Sequence, residues 1–205
     1  MTHTEFGLIR HGLTPWNIEK RIQGQTNISL SDTGIAQATD WGSALAAQDW
    51  SRILCSDLNR AMQTATIINE RLGSLPMSTD NRLREQHWGK WEGYKLVQLG
   101  ETEQEEMERQ KAAGWGFTPA GGESRLNVLH RTLNALRDCA ERHPGERILV
   151  VTHLGCMKAV ADHLTELRTG QPAQVKDPEL TGSYHIHHIR CVQGDLSDIV
   201  LNVPL

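Results

Sequence analysis

The chain has 205 residues, of which 38% are hydrophobic, and its formal net charge at pH 7 is -4. This length suits one sizeable α/β domain, so we expect a single domain over residues 1–205. Both signs of charge are interspersed, no stretch approaches the roughly 18 apolar residues of a membrane span, and the N-terminus lacks signal-peptide character. We therefore expect a cytoplasmic protein that binds neither nucleic acid nor membrane.

The first half of the chain alternates predicted strands and helices. A short apolar strand over residues 7–10 is followed, after a stretch rich in hydrogen-bond donors, by a helix over about 31–47. A second strand is predicted at 52–56, and residues 58–72 carry apolar side chains at helical spacing. The polar segment 92–111 is typical of an exposed helical excursion.

The second half continues the alternation. A helix is predicted over residues 122–142, a central strand over 147–152 and another helix over 155–167. Residues 184–192 and 196–203 predict two final strands that pair antiparallel. The leucines that anchor the first of these helices are Leu126, Leu129, Leu133 and Leu136. This order predicts a largely parallel sheet covered on both faces, a three-layer α/β/α sandwich.

Reactive side chains follow the predicted strands. Arg10 and His11 end the first strand, and Arg60 lies in the first turn after the second. His153 follows the central strand, and Glu85 lies in a loop dense in charged and aromatic residues. Ligands bind at the carboxyl edge of open α/β sheets, so we expect these groups to converge in one crevice.

Such a set suits phosphoryl transfer. Arginines bind a phosphate dianion in bidentate geometry, and a neutral imidazole can attack phosphorus to form a phosphohistidine. A carboxyl group can protonate the leaving alkoxide and then activate water. Because arginines and a second histidine can disperse the charge on the phosphoryl oxygens, we expect no metal and no cofactor.

Five motifs, in the right order, resemble those of the histidine phosphatase superfamily, the phosphoglycerate mutase-like proteins. They are LIRHGLTPWN with RIQG, SDLNRAMQTA, LRE, PAGGES and VVTH, which begin at Leu8, Arg21, Ser56, Leu83, Pro119 and Val150. The resemblance extends to about Leu167. It implies a phosphoglycerate mutase-like fold with a small helical cap inserted at about residues 86–121.

The resemblance also implies a role for each matched residue. His11 would be the nucleophile, and Glu85 the proton donor and later the base. Glu123 and Ser124 would orient the cap and the pocket rather than react. The phosphate-binding residues would be Arg10, Asn17, Gln23, Gly24, Arg60 and His153.

Two positions depart from the family pattern. Leu13 stands where the family usually has Glu or Gln, and no chemistry is expected of it. Leu154 precedes Gly155 where many members carry two glycines. A side chain at position 154 could crowd the approach of the backbone to the phosphate, so the shape of the pocket stays open.

Several other residues have two interpretations. His87 competes as a proton donor, but we expect a solvated loop residue. His185 and His187 would share one strand face and invite a metal site, but no carboxylate or cysteine completes it, so we expect an exposed strand. Packing is expected for Cys55 and Cys156 rather than a redox role. Several aromatic residues could form either the wall of a substrate pocket or the core of the cap. They are Trp88, Trp91, Trp115 and Phe117.

Two activities of the family compete. Its mutases carry a longer segment before the Gly-Glu-Ser motif, with basic residues for the substrate carboxylate. Here that segment is short and acidic, with Arg109 and Lys111 as the only clear candidates, and the run from Trp88 to Gly93 resembles the phosphatase branch. We therefore expect a hydrolase, a metal-independent phosphatase acting on small phosphomonoesters through a phosphohistidine.

The expected partner is a small phosphorylated metabolite. The alternatives are a cofactor-dependent phosphoglycerate mutase and a catalytically silent module that binds phosphorylated ligands; intact His11 and Glu85 argue against the silent module. The edge strands near the C-terminus permit a homodimer.

Overall fold

The computed structural model describes residues 3–175 and 184–205, and these contain a six-stranded sheet. The strands are Thr4–Arg10 (β1), Arg52–Cys55 (β2), Met77–Thr79 (β3), Arg147–Thr152 (β4), His185–Val192 (β5) and Asp195–Pro204 (β6). Their order in the sheet is β3-β2-β4-β1-β5-β6. The four strands from β3 to β1 pair in parallel, whereas β5 pairs antiparallel with both β1 and β6. The predicted, mostly parallel sheet is confirmed.

Helices cover both faces of the sheet. The α-helices are Pro15–Ile18 (α1), Asp32–Leu45 (α2), Asn59–Arg71 (α3), Leu96–Thr102 (α4), Gln104–Ala112 (α5), Arg125–Arg142 (α6) and Leu154–Thr169 (α7). Alternate side chains of β4 point to opposite faces: Ile148 and Val150 pack with α6 and α7, whereas Leu149 and Val151 pack with α2 and α3. Among the helices of the described residues, none combines the length and the apolar character of a membrane span. The three-layer α/β/α architecture is therefore confirmed.

Some predicted boundaries were wrong. The helix expected from Gly122 begins at Arg125, because the Ser124 side chain accepts a hydrogen bond from the backbone N–H of Asn127 at 3.1 Å and caps the helix there. Leu126, expected in the core, is 41% exposed. The helical excursion expected over 92–111 is two short helices, α4 and α5, and its acidic part is largely exposed, as predicted.

The prediction that the histidine-rich strand is exposed was wrong. His185 is 7% exposed and His187 is 1% exposed, because β5 lies between β1 and β6 instead of at the sheet edge. Nδ1 of His187 accepts a hydrogen bond from the backbone N–H of Asn202 at 3.1 Å. Burial lowers the pKa of His187 to about 4. In the described part of the chain no three His, Cys, Asp or Glu side chains are grouped as metal ligands.

Candidate active site

The carboxyl ends of β1 and β4 bring two histidines together. Arg10 pairs with Thr152 in the parallel register of these strands. The next residues are His11 and His153, whose ring centroids are 5.1 Å apart. The backbone N–H of His11 donates to the carbonyl of Thr152 at 3.0 Å, which extends the pairing by one residue. The two strand ends therefore bring His11 and His153 together, as expected.

The hydrogen bonds of His11 determine its tautomer. Nδ1 lies 2.7 Å from the carbonyl oxygen of Gly12, which can only accept, so Nδ1 carries the proton. Nε2 lies 3.2 Å from the guanidinium Nε of Arg60, which can only donate, so Nε2 carries the lone pair. Burial, followed by the charges of Arg60 and Arg10, holds the pKa of His11 well below 6.5. The imidazole is therefore neutral at physiological pH, with a nucleophilic nitrogen at Nε2.

Arg60 is a fully buried guanidinium that the fold holds in place. It lies in the first turn of α3 and is 0% exposed. Besides its bond to His11, it donates to the carbonyl oxygens of Gly24 at 2.8 Å and Thr26 at 2.9 Å. Burial lowers the pKa of Arg60 to about 10, so the group keeps its charge at neutral pH. A fixed positive charge thus lies beside the nucleophilic nitrogen.

His153 is buried without hydrogen bonds to its ring. The residue is 0% exposed, and neither ring nitrogen has a hydrogen-bond partner among the described residues. Burial, followed by the charge of Arg60, lowers the pKa of His153 well below 6.5. Buried polar atoms are seldom left without a partner, so these two nitrogens call for an explanation. The ring of His153 lies 5.1 Å from that of His11 but does not form part of the wall of the cavity described below.

Glu85 is fixed against the first turn of α7. Oε2 accepts a hydrogen bond from the backbone N–H of Gly155 at 3.2 Å, and Oε1 accepts one from the backbone N–H of Gln86 at 2.8 Å. The segment that carries Glu85 is tied to the end of β4, because Oγ1 of Thr152 donates to the carbonyl of Leu83 at 2.8 Å. The carboxyl group is therefore positioned by the same strand end that positions His153.

Gly155 leaves room for the carboxylate of Glu85. A Cβ atom built on Gly155 would lie 2.1 Å from Oε1 of Glu85, which forces the carboxylate to move. The preceding Leu154, the departure from two glycines, lies in the wall of the cavity described below. The cavity stays open with this side chain present.

Glu92 organises the loop that binds Arg60, a role that sequence reasoning missed. Its carboxylate accepts hydrogen bonds from the backbone N–H groups of Gln25 at 2.9 Å, Thr26 at 3.1 Å and Trp88 at 3.1 Å. It also accepts one from the hydroxyl of Thr26 at 2.7 Å. A negatively charged acceptor suits four donors, so Glu92 fastens residues 24–26 to the segment that follows Glu85.

An ion pair between Arg131 and Glu123 supports the backbone at Glu85, and the part of Arg131 in it was not predicted. Arg131 of α6 donates to Oε1 of Glu123 at 2.6 Å and to the carbonyls of Arg82 at 2.6 Å and Glu85 at 3.1 Å. Glu123 also accepts from the backbone N–H of His87 at 2.9 Å. Nothing in the sequence marked Arg131 for this role.

Seven of the predicted site residues line a cavity of about 410 Å³. His153, the eighth, is absent from its wall, although its ring centroid lies 5.1 Å from that of His11. The amide oxygen of Asn17 accepts from the backbone N–H of Thr14 at 3.0 Å, and Oε1 of Gln23 is buried without a partner among the described residues. The predicted site residues in the wall are Arg10, His11, Asn17, Gln23, Gly24, Arg60 and Glu85.

The aromatic residues divide between the two interpretations. Trp88 and Phe117 line the cavity and also pack together, with ring centroids 5.3 Å apart. Trp91, which is 4% exposed, belongs to a small apolar cluster with Phe117 and Ile22. Trp115 packs against the main core instead. Trp88 and Phe117 are thus both wall and core, whereas Trp91 is core.

The remaining candidates lie away from the reacting groups. The side chain of His87 is 45% exposed, with Nε2 3.7 Å from Oε1 of Glu92, as expected for a solvated loop residue. Lys111 lines the cavity and pairs with Glu108 at 2.8 Å, whereas Arg109 pairs with Glu106 outside it.

All four cysteines are buried, and none forms a disulfide. Burial raises the pKa of Cys55 to about 12 and that of Cys156 above its usual value.

Comparison with known proteins gives a consistent picture. The family model of the histidine phosphatase superfamily, branch 1, matches residues 6–191. A phosphoglycerate mutase-like protein 4 of Arabidopsis thaliana is 39% identical over 163 residues, 77% of this chain and 70% of that protein. A metal-independent phosphoserine phosphatase of the same plant is 32% identical over 189 residues, 91% of this chain and 77% of that protein. The solved mycobacterial glucosyl-3-phosphoglycerate phosphatase aligns with a TM-score of 0.78 at 26% identity, covering 97% of this chain and 98% of that one.

Proposed function

The chain belongs to the histidine phosphatase superfamily and is a hydrolase that acts through histidine, and we propose that it hydrolyses small phosphomonoesters without a metal. The reaction passes through a phosphohistidine at His11. The observation that carries this proposal is the fixed tautomer of His11. Its Nε2 carries the lone pair, and His11 lines a cavity together with Arg60 and Glu85. The resemblance of the chain to a phosphatase at 32% identity supports hydrolysis.

The first step transfers the phosphoryl group to the enzyme. Nε2 of His11 attacks phosphorus, and the bond from phosphorus to the alcohol oxygen breaks as the carboxyl group of Glu85 gives its proton to that oxygen. Arg60, Arg10 and His153 donate to the phosphoryl oxygens, where negative charge accumulates. An incoming phosphate replaces Nε2 as the acceptor for the guanidinium of Arg60, which frees the lone pair.

The second step releases phosphate. The carboxylate of Glu85 takes a proton from water, and the resulting oxygen nucleophile attacks phosphorus and breaks its bond to Nε2 of His11. Phosphate departs and both residues return to their first state. Asn17, Gln23 and Gly24 complete the phosphate rim in this proposal, and the segment at about 86–121 acts as the cap of a single domain.

A phosphoglycerate mutase is the second candidate, because the chain is 39% identical to a phosphoglycerate mutase-like protein and its cavity is basic. Phosphate release from p-nitrophenyl phosphate in EDTA, wild type against His11→Ala, tests the proposal. Release that persists in EDTA and is lost in the variant is the expected result. Interconversion of 3- and 2-phosphoglycerate without phosphate release would contradict it in favour of the mutase.

A further inference from the structure

The cavity wall beyond the phosphoryl centre is basic. The cations of the wall other than Arg10 and Arg60, here called the outer cations, are Lys20, Arg21, Lys111, Arg125 and Lys158, whereas Glu85 is the acidic side chain of the described wall. The chain as a whole carries a net charge of -4, so this excess of positive charge is local. The outer cations are additional to Arg10 and Arg60, which the phosphoryl group itself uses in the proposed function.

Lys158 differs from most of its neighbours because no carboxylate pairs with it. Arg125 pairs with Asp162 at 3.1 Å, and Lys111 pairs with Glu108 at 2.8 Å. Lys158 makes neither a hydrogen bond nor a close ion pair with any residue that the structure describes, although it is half-buried. Its charge also acts on the carboxylate of Asp162 one turn along α7, but that carboxylate is paired with Arg125. Removing an ammonium group from water without a close partner is unfavourable, and a bound anion would offset that cost.

The position of Lys158 on α7 indicates which part of a substrate it meets. The first turn of α7 contacts Glu85 through Gly155, and Leu154 of that turn lines the cavity. Leu154 and Lys158 are four residues apart and share one helix face, with Cα atoms separated by about 6 Å along the axis. Because Glu85 protonates the leaving oxygen in the proposed mechanism, Lys158 lies one turn further along, beside the alcohol portion.

We propose that Lys158 is a specificity residue that binds a second anionic group, a carboxylate or a second phosphate, on the alcohol portion of the substrate. This inference rests on the proposed function. It assigns recognition of the second anion to α7, whereas the sequence had pointed to Arg109 and Lys111 of the cap. Arg109 is occupied by Glu106 and lies outside the cavity wall.

Three esters on one three-carbon skeleton test this assignment: 3-phosphoglycerate carries a carboxylate, glycerol 1,3-bisphosphate a second phosphate, and glycerol 3-phosphate a neutral hydroxymethyl group. We expect the wild type to favour at least one of the two doubly anionic esters. Lys158→Met should lower kcat/KM for that ester about 10- to 100-fold, mainly through KM, since a charge-assisted hydrogen bond is lost. Glycerol 3-phosphate and p-nitrophenyl phosphate should change by less than about 3-fold. The matched control is Arg168→Met, an exposed cation at the far end of the same helix.

The outcomes separate this inference from the proposed function. Equal losses on all four esters would overturn it, because Lys158 would then act in folding or chemistry rather than in selection. The inference would also be overturned if the wild type showed no preference among the esters and Lys158→Met left its kcat/KM values unchanged. Hydrolysis of p-nitrophenyl phosphate would still support the phosphatase in that case. If the wild type releases no phosphate from any ester, the proposed function fails. Calorimetric affinities of the three glycerol-based esters then decide the role of Lys158 alone.

Discussion

The guanidinium Nε of Arg60 donates a 3.2 Å hydrogen bond to Nε2 of His11, so the nitrogen that attacks phosphorus in the proposed mechanism is also the one beside a buried charge. The other two guanidinium nitrogens are held by the carbonyls of Gly24 and Thr26. Glu92 binds the backbone of that same loop. A chain of contacts therefore runs from Glu92 through residues 24–26 to Arg60 and the nucleophile.

Glu92→Gln tests this chain of contacts. The glutamine amide would bring a donor to a site filled by four donors, so at least one of them would lose its acceptor. We expect the free energy of unfolding to fall by about 1–3 kcal/mol, and kcat/KM for p-nitrophenyl phosphate to fall about 10-fold or more as Arg60 shifts. Urea denaturation and steady-state assays measure the two effects. Glu108→Gln, in the exposed helix α5, is the control and should change neither; a Glu92→Gln variant with wild-type kinetics would contradict the account.

Glu85→Gln tests the assignment of the proton donor. A glutamine keeps the shape of the side chain but cannot protonate the leaving oxygen. Alkyl phosphates, whose leaving groups need that proton, should lose about 100-fold or more in the rate of phosphoryl transfer. p-Nitrophenol leaves without a proton, so the same step should slow by less than about 10-fold. Single-turnover kinetics on both esters measure this step, and equal losses would refute the assignment.

Gly155→Ala probes the contact between α7 and Glu85 without replacing a reactive side chain. The new Cβ would lie 2.1 Å from Oε1 of Glu85 and would displace the carboxylate. We expect a loss of about 10- to 100-fold in kcat for alkyl phosphates, because a shift of about 1 Å in a catalytic group has that scale of effect. Gly100→Ala, where nothing lies within 4 Å of the added Cβ, is the control and should keep full activity.

How much of this arrangement follows from sequence is clearest at the strand ends. His11 and His153 could be predicted to meet, because both follow apolar runs and parallel strands end at one edge of a sheet. Glu92 and Arg131 could not be assigned, because many of their partners are backbone groups of loops, which side-chain patterns do not reveal. The burial of His187 was missed because it depends on β5 lying between β1 and β6, and periodicity does not encode the order of strands.

His187 also yields a prediction about stability and pH. Its pKa is about 4 in the folded protein against 6.5 for an unperturbed histidine. The unfolded chain therefore binds a proton first as the pH falls through 6.5, and stability is lost between that pH and about 4. At pH 5 this group should cost about 2 kcal/mol relative to pH 7.5. Urea denaturation of His187→Gln should show a correspondingly smaller loss, whereas the exposed His130→Gln should match the wild type; an unchanged pH dependence in His187→Gln would contradict this.

The most direct test of the central claim is to trap the phosphoryl-enzyme. The wild type is mixed with a ³²P-labelled phosphomonoester in EDTA, quenched in alkali within one turnover, and the labelled peptide is sequenced by mass spectrometry. The account predicts an acid-labile, alkali-stable phosphohistidine at His11, absent from His11→Ala and longer-lived in Glu85→Gln. Label on another residue, or turnover by His11→Ala at the wild-type rate, would contradict it.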